Sequence, residues 1–246
     1  MCKSNWVQPP AELMLLNNDV HVWCASLEQP AEQVQKLAET LSEDERIRAE
    51  RFYFERDRRR FIVGRGLLRN ILARYTNLAP KQLQFAYGSR GKPALATTDV
   101  DSTLQFNLSH SEELALYAIA HHRQLGIDLE YIRPISNVEQ LAKRFFCPRE
   151  YEVIRDLPPT QQQQAFFHGW TCKEAYLKAT GEGLTELQQV EVSLAIGEPA
   201  KLLSIAEDSQ ATANWSLQAL NLAPGYMGAL AVEGHDWRLS CWQWLA

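Results

Sequence analysis

The feature that most constrains this chain is an echo of itself. Displaced by about 105 residues, Phe61-Ile62-Val63-Gly64 falls on Phe166-Phe167-His168-Gly169 and Leu72 on Leu177. The same shift sets Val22-Trp23 on Ile127-Asp128 and Phe85 on Val190. Few of these are identities, so chance likeness and an old duplication both fit. A duplication restricts the chain to two similar α+β halves meeting near His121–Gln124, with a cleft between them. The 246 residues allow either one large domain or two compact ones of just over a hundred residues each, long enough to bury a core.

Local patterns place the elements. Asp19–Leu27 alternates Val20, Val22 and Cys24 with His21, Trp23 and Ala25, which predicts a strand. Ser42 followed by Glu45 has the form of a capping box and opens a charged helix over Glu43–Arg56. Phe61, Gly64, Arg65, Leu68, Ile71, Leu72 and Tyr75 share one helical stripe, so Arg58–Tyr75 is expected to be an amphipathic helix. Pro80–Tyr87 returns to strand character and Gly88–Pro93 is turn-rich. Leu104–Leu108 and Leu114–Ala120 are expected strands joined by the polar stretch Ser109-His110-Ser111. Gly126–Tyr131 is a further strand, Arg149–Asp156 and Gln161–Ala179 are helical, and Val190–Trp242 is mostly strand.

Composition narrows the class. At 46% hydrophobic and 22% charged the chain suits a globular protein and excludes collagen-like, coiled-coil and disordered classes. A formal charge of −5 argues against nucleic acid as a partner. Cys2, Cys24, Cys147, Cys172 and Cys241 are widely spaced and odd in number, against a disulfide framework or structural zinc. The first residues lack the pattern of a signal peptide, and no apolar run approaches the roughly 20 residues that span a bilayer. A soluble cytoplasmic protein with no membrane partner is expected.

Four constellations can carry chemistry. In Gly126-Ile127-Asp128-Leu129-Glu130 the alternation of a strand puts Asp128 and Glu130 on one face, where hard oxygen ligands suit Mg²⁺. An isolated Asp-x-Glu is more often a solvated strand face. In Trp170-Thr171-Cys172-Lys173-Glu174-Ala175-Tyr176-Leu177-Lys178, Glu174 and Lys178 are one helical turn apart, a spacing equally common as surface support. Asn107-Leu108-Ser109-His110-Ser111 suits an anion-binding loop or satisfied turn residues. A serine hydrolase is disfavoured because Ser109 and His110 point apart on an extended chain and no GxSxG elbow is present. The arginines from Arg46 to Arg69, with Arg90 and Lys92 flanking Gly91, offer a phosphate clamp, although most are balanced by nearby acids.

Together and in this order, the Arg-rich helix, GKP, NLSHS, GIDLE, WTCKEAYLK and GEGL closely resemble the 4′-phosphopantetheinyl transferase superfamily of the Sfp type, over roughly Ser42–Val192. The resemblance implies an α+β fold of two similar halves related by a pseudo-twofold axis, each a small antiparallel sheet packed with helices. It implies an N-terminal half over 1–122 that grips coenzyme A, and a C-terminal half over 123–246 that holds the metal and catalytic motifs. The implied reaction moves the phosphopantetheine arm of coenzyme A to a serine of an acyl or peptidyl carrier protein, releasing 3′,5′-ADP. Asp128, Glu130 and Glu174 would hold Mg²⁺, Lys178 would pair with the pyrophosphate, and Glu174 would be the general base. Arg48, Lys92 and His110 would grip coenzyme A around its 3′-phosphate, with Arg90, Gly91, Asn107 and Ser109 lining the nucleotide site. The length matches the monomeric branch. Phe145, Phe146 and Tyr151, flanked by Lys143, Arg144 and Arg149, are a candidate docking patch for an acidic carrier, with at least one phenylalanine expected in the core. A Mg²⁺-dependent hydrolase of a nucleotide pyrophosphate and a non-catalytic coenzyme A-binding adaptor are the competing readings.

Overall fold

The computed structural model describes residues 6–96, 103–195 and 197–245. The first half contains β1 (Asp19–Ser26), α1 (Ala31–Ala38), α2 (Glu43–Glu50), α3 (Glu55–Ala73), β2 (Phe85–Tyr87), β3 (Pro93–Leu95), β4 (Leu104–Ser111) and β5 (Leu114–His121). The second contains β6 (Leu125–Tyr131), α4 (Val138–Phe145), α5 (Pro148–Asp156), α6 (Pro159–Thr180), β7 (Val190–Val192), β8 (Leu202–Ile205), β9 (Trp215–Leu220), β10 (Tyr226–Glu233) and β11 (Arg238–Gln243).

The two main sheets run β11-β1-β5-β4 and β6-β10-β9. Leaving β11 aside, order and antiparallel sense are the same in both. The long helices α3 and α6 and the small ladders β2–β3 and β7–β8 occupy equivalent places in the chain. The fold is α+β in two similar halves, and the offset of 105 residues lays β1 on β6, α3 on α6 and β2 on β7. Beyond β7 the offset lengthens to about 112 at β10, where the second half has longer connections. β11 pairs in parallel with β1, so the end of the chain returns to the first sheet.

Strand alternation builds the layers. Val20, Val22 and Cys24 of β1 and Leu116, Ala118 and Ala120 of β5 meet Leu125, Ile127 and Leu129 of β6 in one buried cluster, which joins the sheets. Their neighbours Trp23, Tyr117 and Ile119 face α3 through Val63, Leu67 and Ile71. Ala229 and Ala231 of β10 face α6. Since Ala229 is opposite Asp128 in the ladder, Asp128 shares the α6 face.

Local expectations change in three places. Ser109-His110-Ser111 is no connection: it completes β4, whose side chains bond across to β6, and the hairpin turns at Glu112-Glu113. The charged helix stops at Glu50, because the aromatic run Phe52-Tyr53-Phe54 favours extended backbone and α3 restarts behind Phe54. Pro80–Gln82 is a 3₁₀ turn ahead of β2, and α1 and α4 are additional short helices. The Ser42–Glu45 cap is realised through the Glu45 carboxylate, which accepts the Ser42 backbone N–H at 3.0 Å and the buried Arg69 guanidinium at 2.6 Å. Among the described residues Cys24, Cys147, Cys172 and Cys241 form no disulfide, and Cys2 is outside them.

A second buried pair fixes α6. Lys173 is fully buried, donates to the Leu187 carbonyl at 2.9 Å and pairs with Glu150. Glu150 also accepts the backbone N–H groups of Cys147 and Val192. Removing one partner strands a buried charge, which costs about 3–5 kcal/mol. Glu150→Gln should therefore lower the unfolding free energy in urea by that amount. Lys36→Ala, which breaks the exposed Lys36–Glu32 pair, should change it by less than about 0.5 kcal/mol.

Candidate active site

Asp128 is buried at the middle of β6, and Lys178 reaches it from the last turns of α6, Nζ to Oδ1 at 2.6 Å. Ser109 of β4 closes the triangle: its hydroxyl donates to Asp128 Oδ1 at 3.0 Å and accepts from Lys178 Nζ at 3.0 Å. Glu174 precedes Lys178 by one turn on the same helix and is half-buried. Burial, then the Asp128 carboxylate, push its pKa up to about 7; Lys178 opposes this and Glu130 adds to it. Glu130 is also raised, by burial first and Asp128 second. Three carboxylates from β6 and α6 thus repel one another around one ammonium group. Predicted contributors from distant stretches, Ser109, Asp128, Glu130, Glu174 and Lys178, come together here.

The residues expected to grip a nucleotide divide. His110 points away from Asn107 and Ser109 along β4; desolvation by the surrounding protein, then the cations Lys178 and Arg60, lower its pKa. Asn107 and Ser109 are buried and turned toward β6, and Asn107 Oδ1 accepts the Ile127 N–H at 2.9 Å. They therefore do not line an open nucleotide surface. Lys92 donates to the carbonyls of Ala179 at 2.8 Å and Leu125 at 3.4 Å, tying the GKP turn to α6 and β6; burial lowers its pKa to about 8. Gly91 holds the left-handed backbone that this turn requires, at φ +82°. Arg90 lies over Gly183 of the GEGL turn. Arg48 stays on exposed α2, its guanidinium 5.3 Å from the Phe61 ring centroid. Phe146 is core, whereas Phe145 packs edge-on against Trp170.

A divalent cation suits this donor set in chemistry. All three acids offer hard oxygen, and Asp128 Oδ2 is buried without a hydrogen-bond partner. Among the described residues, no group of three Asp, Glu, His or Cys is already gathered into a cation cage. Lys178 lies against Asp128 instead. A groove of about 1330 Å³ lies elsewhere, between β9 and β11; none of these acids lines it.

Ser111 stands in the NLSHS stretch without a site role of its own in the sequence reading; its hydroxyl accepts the Tyr131 N–H at 2.9 Å and donates to Glu130 Oε2 at 3.4 Å. The period-two spacing of Asn107, Ser109 and Ser111 was the available signal. Arg60, one of the basic residues of the sequence reading, is bonded to Glu28 and Glu112, and its charge bears on His110.

Two halves, each a small sheet with a long helix, bring acids and an ammonium together where they meet. Comparison with known proteins identifies the family. Residues 124–233 match the family model described as 4′-phosphopantetheinyl transferase superfamily, and residues 26–122 match that described as 4′-phosphopantetheinyl transferase, N-terminal. The chain is 50% identical over 244 residues to 4′-phosphopantetheinyl transferase HetI of Nostoc sp., covering 99% of this chain and 100% of that one. It is 32% identical to 4′-phosphopantetheinyl transferase psf-1 of Bacillus pumilus, covering 82% of each chain. It is 28% identical to 4′-phosphopantetheinyl transferase Sfp of Bacillus subtilis, covering 83% of this chain and 88% of that one. The chain belongs to the 4′-phosphopantetheinyl transferase superfamily and is a transferase of that kind. Among the described residues no helix is long and apolar enough to cross a membrane.

Proposed function

We propose that this transferase takes the phosphopantetheine arm from coenzyme A with Mg²⁺ present and attaches it to a serine of an apo acyl or peptidyl carrier protein. The observation that carries this reading is the Lys178–Asp128–Ser109 contact, on whose carboxylate the charges of Glu130 and Glu174 bear. The serine oxygen attacks the phosphorus that bears the pantetheine arm, the bond from that phosphorus to the bridging oxygen breaks, and 3′,5′-ADP leaves. Glu174 accepts the serine proton. Lys178 sets positive charge beside the pyrophosphate, where charge develops. Asp128, Glu130 and Glu174 would hold Mg²⁺, which supplies charge neutralisation and orientation of the pyrophosphate when bound. Arg48, Arg90, Gly91, Lys92 and His110 are assigned to the nucleotide end of coenzyme A. Lys92 would exchange its carbonyl partners for phosphate. The first half over 1–122 and the second over 123–246 share the substrate in a monomer that works in the cytoplasm.

Mass spectrometry of several apo carrier proteins, incubated with enzyme, coenzyme A and Mg²⁺, tests the reading. Each accepted carrier gains one phosphopantetheine arm, and consumption of coenzyme A without carrier modification would favour a hydrolase.

The Glu174 carboxyl has a definite pH signature. Its native pKa, about 7, lies above the ordinary glutamate value. The native state therefore binds more protons than the unfolded chain between roughly pH 4.5 and 7, and this group lowers stability as pH rises through that window. A cation would offset the cost only where Glu174 is ionised. Added Mg²⁺ should raise Tm more at pH 7.5 than at pH 5.5, with coenzyme A absent. Equal shifts would remove Glu174 from the metal set.

A further inference from the structure

The two sheets do not hydrogen-bond strand to strand where the site forms. β4 and β6 are edges of different sheets, and β6 would leave a row of backbone N–H groups facing β4. Side chains of β4 take them instead. Asn107 Oδ1 accepts Ile127 N–H at 2.9 Å, Ser109 Oγ accepts Leu129 N–H at 3.2 Å, and Ser111 Oγ accepts Tyr131 N–H at 2.9 Å. Each rung joins residues twenty apart, so β4 and β6 advance in step. The two hydroxyls also donate: Ser109 to Asp128 Oδ1 and Ser111 to Glu130 Oε2. A hydroxyl that accepts from the peptide following an acid and donates to that acid's carboxylate fixes backbone and side chain together.

We propose that Ser111 is a positioning residue, which with Asn107 and Ser109 forms a side-chain staple that sets the register of β6 and turns Glu130 toward the Asp128–Glu174 cluster. The proposal rests on Glu130 being a metal-facing carboxylate, as inferred above. Nothing in this role requires Ser111 to touch coenzyme A or carrier.

The staple is tested on the full chain with Ser111→Ala and Ser111→Thr, the second of which keeps the hydroxyl. Amide hydrogen exchange of the Tyr131 N–H, measured residue by residue without metal or substrate, reads the Ser111 rung alone. Ser111→Ala should exchange there about tenfold faster, the equivalent of roughly 1.4 kcal/mol, while exchange in α3 is unchanged. The Mg²⁺ concentration for half-maximal transfer should rise about tenfold, the Mg²⁺-induced rise in Tm should shrink, and the KM for coenzyme A should stay within twofold. Ser111→Thr should restore exchange and metal response to within about twofold of the parent. Unchanged exchange in Ser111→Ala would overturn the staple. Faster exchange with an unchanged Mg²⁺ response would overturn the positioning of Glu130. A Ser111→Thr variant as impaired as Ser111→Ala would show that the hydroxyl is not what matters. Should the parent chain itself give no Mg²⁺ response, the metal reading fails and with it the positioning role; the exchange result still decides the staple.

Discussion

Glu174→Gln should lower the rate of arm transfer by about 10³-fold, with Tm unchanged or slightly raised. The amide keeps the size and hydrogen-bonding reach of the carboxyl but has no site for the serine proton. General base catalysis is ordinarily worth 10² to 10⁴ in rate. Stability should not suffer, because Glu174 is held in the fold against repulsion: burial and Asp128 both resist its ionisation. A neutral side chain relieves that repulsion. At saturating Mg²⁺ the pattern to look for is kcat down with the KM for coenzyme A little changed, since a group acting on the proton in flight contributes to the transition state. The Mg²⁺ concentration for half-maximal transfer should rise as well, because Glu174 is one of the proposed metal-holding carboxylates. Mass-spectrometric time courses against a single carrier give kcat, and differential scanning fluorimetry gives Tm. Transfer within tenfold of the parent would take Glu174 out of the proton-accepting role. A drop of several degrees in Tm would mean that its carboxylate supports the fold, contrary to the electrostatics.

Legibility differed between fold and site for a physical reason. Period-two and period-3.6 patterns are local, so β1, β6, α3 and α6 were visible in the residues, as was the split of β6 into an Ile127/Leu129 face and an Asp128/Glu130 face. The offset of 105 residues worked because paired elements of the halves begin at matching places, and it drifted where loops differ. Partners chosen by tertiary contact were not visible. Asn107 and Ser109 look like ligands for an anion until β6 is seen to claim them. Lys92 looks free until the carbonyls of Ala179 and Leu125 appear beside it. Lys173, inside the motif that carries Glu174, is taken by Glu150. In each case residue chemistry was readable, and only packing could decide which polar group would satisfy it.

Gly126→Ala should be the most damaging small substitution in the chain, because it parts the elements that carry the site. A Cβ at Gly126 would lie 2.1 Å from the Ala175 carbonyl oxygen and 2.3 Å from the Ala179 nitrogen, both backbone atoms of α6. Neither can rotate aside, so helix and strand must separate along their closest crossing. Overpacking of a rigid contact costs about 1–3 kcal/mol and sometimes more; loss of the neighbouring packing on Ala175 and Ala179 brings the expected total to about 4 kcal/mol. For a chain of this size that is a fall in Tm of roughly 8–16 °C. Activity should fall further than stability, because Glu174 and Lys178 ride on the helix that moves and Asp128 is on the strand left behind. Gly64→Ala is the matched control within α3: its Cβ would meet Leu27 Cδ2 at an ordinary 3.6 Å, and alanine favours helix over glycine, so Tm should hold or rise. Measured below the melting range of both variants, transfer should be nearly normal in Gly64→Ala and reduced at least a hundredfold in Gly126→Ala. A Gly126→Ala protein that melts within about 2 °C of the parent and transfers the arm at full rate would mean that the close crossing of β6 and α6 does not hold the acids in place.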